Sequence, residues 1–191
     1  MRRKQELLVG EWAVLALLCE RPSHGYAIHA TMAPDGELGR IWSLGQPLTY
    51  RALDVLRSLD LVEVVAVKPG VRAPRRTELQ ATAQAKRMVT RWLKTPEPHV
   101  RDLRSSLLLK IHLLRRRGRS PVQLLTAQRE LLVSQAAALA EPVEGDDQPD
   151  VLVRRWRRTM TEAALRFVEE TLEHERRVDE RATTGRRPAV V

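Results

Sequence analysis

Apolar residues recur at helical spacing through most of this chain, and the pattern switches once, after Asp60, to a short β-branched run. Leu7 to Glu20 is apolar nearly all round, with Leu8, Trp12, Leu15 and Leu18 forming one line, so this helix must be covered on more than one side. Arg21-Pro22 ends it, and Ser23 is the expected N-cap of a short helix from His24 to about Met32. The turn-rich stretch from Pro34 to Gly45 reads as a loop anchored in the core by Trp42. Pro47 suits the first position of the next helix. In that helix Leu48, Ala52, Val55, Leu56 and Leu59 fall on one side, Tyr50, Asp54, Arg57 and Ser58 on the other, and Arg51 at the edge. LVEVVAV then predicts a strand, Lys68-Pro69-Gly70 a turn, and Arg75 to Leu79 a returning strand. The link KPGVRAPRR holds four cations and two prolines. Thr82 predicts the N-cap of a helix to about Lys94, with Met88, Trp92 and Leu93 facing inward.

Thr95-Pro96-Glu97-Pro98 breaks that pattern and divides the chain into domains 1–95 and 96–191. Val100 to Arg117 predicts a strong helix on Leu103, Leu107, Ile111 and Leu114, widened by Leu108, Leu109 and Leu113 and ended by Gly118. Ser120-Pro121 opens a helix to about Ala140. Residues 141–150 read as an acidic linker and 182–191 as a disordered tail. Between them Val151 to about Val178 predicts a long helix whose apolar side is Leu152, Trp156, Met160, Ala163, Phe167 and Val168. The expected fold is mainly α with one small β-hairpin: an N-terminal winged helix-turn-helix domain, then a C-terminal α-helical dimerisation domain.

Charge sharpens this picture. The net charge is +9, of which +6 lies before the break at Thr95 and +3 after it. The excess sits with the hairpin, and phosphate contacts are the main source of nonspecific nucleic-acid affinity. A single cysteine, Cys19, has no intramolecular disulfide partner and fits a reducing, cytoplasmic location. The basic start is followed by an apolar run broken by Glu6, Gly10 and Glu11, with neither a cleavage pattern nor a membrane-length stretch, so a soluble protein without membrane association is expected. His24, His29, His99, His112 and His174 have no metal-ligand spacing. With no nucleophile elbow or phosphate loop either, the expectation is no enzyme, no metal and no cofactor.

Helix, short helix, loop, helix with a Tyr/Arg face, basic-tipped hairpin: this order is that of a winged helix-turn-helix, whose second motif helix enters the DNA major groove. The sequence also resembles the PadR-like transcriptional regulators. EWAVLALLCERPSHGYAIHATM, WSLGQPLTYRALDVLRSLDLVE and TAQAKRMVTRWL carry the resemblance. His24, Gly25 and Tyr26 match the family's His-Gly-Tyr turn, Tyr50, Arg51 and Leu53 its recognition helix, and Trp92 and Leu93 the Trp-Leu end of the helix after the wing. RDLRSSLLLKIHLL looks like the start of the longer helical C-terminal domain of one branch. The chain departs from the family at Pro47-Leu48-Thr49, where Gly-Thr-Leu is common. It departs again at Leu79, Ala81, Thr82 and Ala85, which replace an aromatic-x-Leu-Thr-x-x-Gly junction.

The reading is a ligand-responsive repressor that binds a two-fold operator in double-stranded DNA as a homodimer. Gln46, Thr49, Tyr50, Arg51 and Arg57 are expected at the major groove, and Lys68, Arg72, Arg75 and Arg76 at phosphates or the minor groove. The stripe Leu103, Leu107, Ile111 and Leu114 and the side Trp156, Met160 and Phe167 are too extensive for one chain to cover, so they are expected to dimerise. The first helix, through Leu8, Trp12 and Leu15, is expected to join them. The resemblance implies a small aromatic or amphipathic effector, for which Trp12, Trp92 and Trp156 are the candidate pocket. The alternative is a dimeric small-molecule-sensing or protein-interaction module without specific DNA binding.

Overall fold

The run Ala13 to Leu18 is buried residue after residue, and the N-terminal part of the molecule is assembled around it. The computed structural model describes residues 6–68, 76–140 and 148–184. Helix α1 (Val9–Glu20) begins where the Leu8 N–H donates to the Glu11 carboxylate at 2.8 Å. Then come α2 (Gly25–Met32), α3 (Gln46–Ser58), β1 (Val62–Lys68), β2 (Arg76–Ala81) and α4 (Ala83–Trp92). α1 packs against α3, α4 and β2, so it is covered on several sides, as its all-round apolar sequence requires.

Local chemistry fixes each junction. Ser23 is not the cap of α2. His24 takes that place, its Nδ1 accepting the Ala27 N–H at 3.2 Å. Ser23 instead exchanges backbone hydrogen bonds with Leu79, at 2.9 and 2.8 Å, adding a third short strand position to the hairpin. α3 starts one residue earlier than Pro47, with Gly45 as its N-cap. It ends in a Schellman turn: Asp60 takes φ 55°, its N–H donates to the Arg57 carbonyl, and the Leu61 N–H donates to that of Leu56. β1 and β2 run antiparallel from Val62↔Ala81 to Lys68↔Arg76, with an irregularity between Val64 and Ala66. Thr82 caps α4 by accepting the Ala85 N–H at 3.3 Å.

The described elements after α4 are all helical. α5 (Val100–Asp102), a π-helical turn (Leu103–Leu107) and α6 (Leu108–Arg116) form one continuous run. Gly118, at φ 62°, ends it in a second Schellman turn. α7 (Val122–Ala140) and α8 (Gln148–Thr184) pack along each other. Arg129 pairs with Glu169 at 2.8 Å, Ser120 donates to Asp179 at 2.5 Å, and Arg115 pairs with the buried carboxylate of Glu175. The Pro-rich break is held by side-chain amides of α7. Gln128 exchanges two hydrogen bonds with the Glu97 backbone, and Gln135 donates to the Pro98 carbonyl.

The chain divides into two compact units, Met1–Leu93 with Arg104–Leu113, and Lys94–Leu103 with Leu114–Val191. That division corrects the expected use of the leucine stripe. Leu103, Leu107, Ile111 and Leu114 are all buried within one chain, as are Leu109, Leu113 and Leu15. The stripe is wide because the chain itself covers it, and these side chains are not free to meet a second copy. α8 departs from expectation the other way. Its buried positions are Thr161, Val168, Leu172 and Glu175, whereas Leu152, Trp156 and Phe167 are exposed. Among the described residues no helix is long and apolar enough to cross a membrane.

Candidate nucleic-acid interface

The site is built from α3 outward. Thr49, Ala52, Leu53 and Leu56 recur at i, i+3, i+4 and i+7 and are all buried. Thr49 is therefore corrected from a groove-facing residue to a core one. Its hydroxyl donates to the Gly45 carbonyl at 3.2 Å, so a polar side chain can occupy an apolar position without an unmet hydrogen bond. Leu48, expected inside, is 53% exposed. With the stripe rotated in this way, Gln46, Tyr50, Arg51, Asp54 and Arg57 share the outer surface.

Tyr50 has a defined seat. A Cβ at Gly25 would fall 2.7 Å from Tyr50 Cε1 and 2.9 Å from Cζ, so the phenol ring lies directly on the bare glycine backbone. The His-Gly-Tyr turn is thus one half of a packing pair whose other half is the tyrosine of α3. Tyr26, at the start of α2, is 67% exposed, with its ring centroid 6.5 Å from that of His24. Tyr26 and Leu48 were missed as candidate contacts from the sequence. The signal was present for Tyr26, in a tyrosine beside a required glycine. For Leu48 none was available, because its apolarity argued for the core.

The hairpin supplies the second part. Lys68 and Arg76 occupy the last register position of the described ladder, while Arg72 and Arg75 lie outside the described residues. Val64, Val65 and Val67 are exposed along β1. The arrangement offers donors and a cationic helix face to a polyanion, with a tyrosine and a leucine able to meet apolar base edges such as the thymine methyl.

The three tryptophans assigned to an effector pocket are not gathered into one. Trp12 and Trp92 stack on each other with centroids 5.1 Å apart and planes 3° from parallel. The ammonium of buried Lys110 sits 5.1 Å from the Trp92 centroid, a cation–π contact. Trp156 belongs to the second compact unit and is 64% exposed. Of the expected dimerisation residues, Leu8, Trp156 and Phe167 are exposed and Met160 is half-buried.

Three helices, a two-stranded hairpin tied to Ser23, and a closing helix define a winged-helix module followed by a helical region. Solved structures with a similar course include Bacillus subtilis PadR in complex with operator DNA, 19% identical over 85% of this chain and 97% of that one, TM-score 0.44. Also similar are the same PadR in complex with p-coumaric acid (18% identical, 88% and 99% covered, TM-score 0.40) and smu.1604c from Streptococcus mutans UA159 (14%, 86% and 98%, TM-score 0.40). No protein-family model matches the sequence, and no curated protein matches it.

Proposed function

We propose that this protein is a DNA-binding transcriptional regulator, a ligand-responsive repressor that reads a two-fold operator as a homodimer. The observation that carries the reading is the outer face of α3: Tyr50, Arg51 and Arg57 stand exposed on a helix whose opposite side is buried in a winged-helix module. Helices so placed enter the major groove, their N-terminal residues meeting base edges. Gln46, Leu48, Tyr50 and Arg51 are the base-reading set, and Arg57 contacts the flanking phosphates. Lys68, Arg72, Arg75 and Arg76 of the wing add sequence-independent affinity. The protein has no chemical step to perform, and regulation is a shift between dimer geometries that fit or miss the half-site spacing.

The second copy covers the exposed side of α8. Leu152 and Trp156 are 70% and 64% exposed, and Val151, Val153 and Phe167 are also exposed on this helix. Burying large apolar side chains contributes about 1.5–3 kcal/mol each, and two-fold pairing is the commonest closed symmetry. Of the N-terminal residues expected at the dimer interface, Leu8 is 70% exposed at the start of α1. The effector proposed is a small planar molecule, for which the Trp12–Trp92 stack is the candidate contact.

The testing experiment selects duplexes from a random pool with the full chain. A two-fold symmetric site bound far more tightly than random DNA supports the regulator. Recovery of no consensus, with retained dimerisation, supports the DNA-independent sensing module.

A further inference from the structure

The first compact unit has a second cationic helix face, on α4, and it is more highly charged than that of α3. On the outer surface of α3, Arg51 and Arg57 are offset by Asp54. On α4, Lys86, Arg87 and Arg91 are all exposed, and no acid occurs anywhere in Ala83–Trp92. Lys86 and Arg87 form no ion pair among the described residues.

The packing of α1 shows where this face points. At about 100° per residue, Arg87 and Arg91 stand on the side of α4 opposite the buried Ala85 and Val89, with Lys86 at the edge. Trp92, on the inward side, stacks on Trp12 of α1. Gly10 of α1 meets the Leu44 side chain, where a Cβ would fall 3.0 Å away. Leu44 directly precedes Gly45, the N-cap of α3. Residues two apart on a helix point about 160° away from each other, so α4 and the start of α3 lie on nearly opposite sides of α1. A straight duplex read by α3 does not reach the outer face of α4.

The chemistry of the face selects its partner. Gln84 and Thr90 are exposed beside the cations, and α4 has no exposed aromatic or large apolar side chain. The Thr90 hydroxyl donates within the helix, to the Lys86 carbonyl at 2.8 Å, which leaves Gln84 and the three cations as donors. Protein partners are anchored by aromatic and apolar side chains, and nucleic-acid single strands by aromatic stacking platforms. The face offers neither. The backbone of a duplex asks only for cations and polar donors. From Lys86 to Arg91 the helix rises about 7.5 Å, an axial span of about two phosphate steps on one strand.

We propose that the outer face of α4 is a second, sequence-independent duplex-binding surface. Lys86, Arg87 and Arg91 hold the phosphate backbone of a DNA segment other than the one read by α3, so that one molecule bridges two segments. Affinity at this face comes from counterion release and is lost as salt rises. Bridging rests on the DNA-reading role of α3, but binding at α4 does not.

The test uses the full chain, with the tightest selected duplex immobilised and a short labelled duplex of unrelated sequence in solution at low salt. Protein held on the immobilised duplex is expected to capture the labelled one, and the capture should fall steeply as salt rises. Lys86→Gln/Arg87→Gln/Arg91→Gln is expected to weaken capture about tenfold or more. Its affinity for the selected duplex should fall by no more than about threefold, with a nearly unchanged melting temperature. No capture by the wild type overturns the site, and so does undiminished capture by the triple variant. An equal loss for both duplexes places α4 in the reading interface and overturns the second surface. Capture of labelled poly-glutamate without capture of duplex overturns the nucleic-acid assignment in favour of an acidic protein. If selection yields no operator, the regulator reading fails by itself. The triple variant and Arg51→Ala/Arg57→Ala are then compared on random duplex, and a triple variant that binds like the wild type overturns the α4 surface.

Discussion

Helix α3 and the first half of α8 have the same ingredients, an apolar stripe and arginines around an aromatic residue, and use them in opposite ways. In α3 the stripe Ala52, Leu53 and Leu56 is buried and Tyr50 with Arg51 and Arg57 faces outward. In α8 the apolar side itself is outward: Leu152 is 70% and Trp156 64% exposed, with Arg155, Arg157 and Arg158 exposed around them. Helical periodicity tells which side chains share a face. Whether the chain supplies something to cover that face is a separate question, decided by the rest of the fold. A covered stripe contributes to folding, and an uncovered one is material for assembly.

The sharpest way to break this contrast is to truncate one residue of each kind. Leu107, completely buried in the π turn, should lose about 2–5 kcal/mol of stability on Leu107→Ala, measured by urea unfolding under conditions where dimer dissociation is not coupled to it. Monomer–dimer affinity should be little changed in whatever fraction is folded. The double change Leu152→Ser/Trp156→Ser should do the reverse. Sedimentation is expected to show dimerisation weakened by about a hundredfold or more, with the helical content of the monomer retained. A double variant that dimerises like the wild type removes α8 from the interface.

Next in size is the tyrosine seat. Gly25→Ala places a methyl 2.7 Å from the Tyr50 ring, so the phenol must move, and operator affinity should fall roughly tenfold for a structural change of about 1–2 kcal/mol. Tyr50→Phe in that background should then cost little more, since the ring is already displaced. Full additivity of the two changes would show that Gly25 and Tyr50 act separately.

Neutralising Arg72, Arg75 and Arg76 should lower affinity for every duplex and flatten the salt slope by roughly one unit for each phosphate the wing no longer touches. The smallest effect belongs to Thr49. Thr49→Val removes the 3.2 Å hydrogen bond to Gly45 and should change stability by about 1 kcal/mol or less. Base discrimination should stay the same. A changed operator preference would return Thr49 to the groove.

Much of the fold was legible because its signals are local. The strand after Asp60, the Thr82 cap and the Gly118 stop each depend on a few neighbouring residues, and each stands where the pattern put it. What escaped depends on distant partners. Ser23 left its capping role because Leu79, far along the chain, takes both its backbone groups. Thr49 went inward because the Gly45 carbonyl could accept its hydroxyl, and Leu48 was turned outward by the same rotation of the helix. The π turn has no sequence marker. On α3, the outward exposure of Tyr50, Arg51 and Arg57 was readable from spacing alone, whereas the seat of Tyr50 on Gly25 needed the tertiary fold.

The most direct test of the central claim is operator discrimination by the outer face of α3. The tightest duplex selected by the full chain is compared with a scrambled one, for wild type, Arg51→Ala and Arg57→Ala, by fluorescence anisotropy at fixed salt. The wild type is expected to prefer a two-fold site with half-sites about one helical turn, or a multiple of it, apart. Arg51→Ala should narrow the ratio between the two duplexes by about 1–3 kcal/mol, and Arg57→Ala should weaken both about equally, with melting temperatures unchanged. An Arg51→Ala protein that keeps the full wild-type ratio would contradict the assignment of α3 as the reading helix.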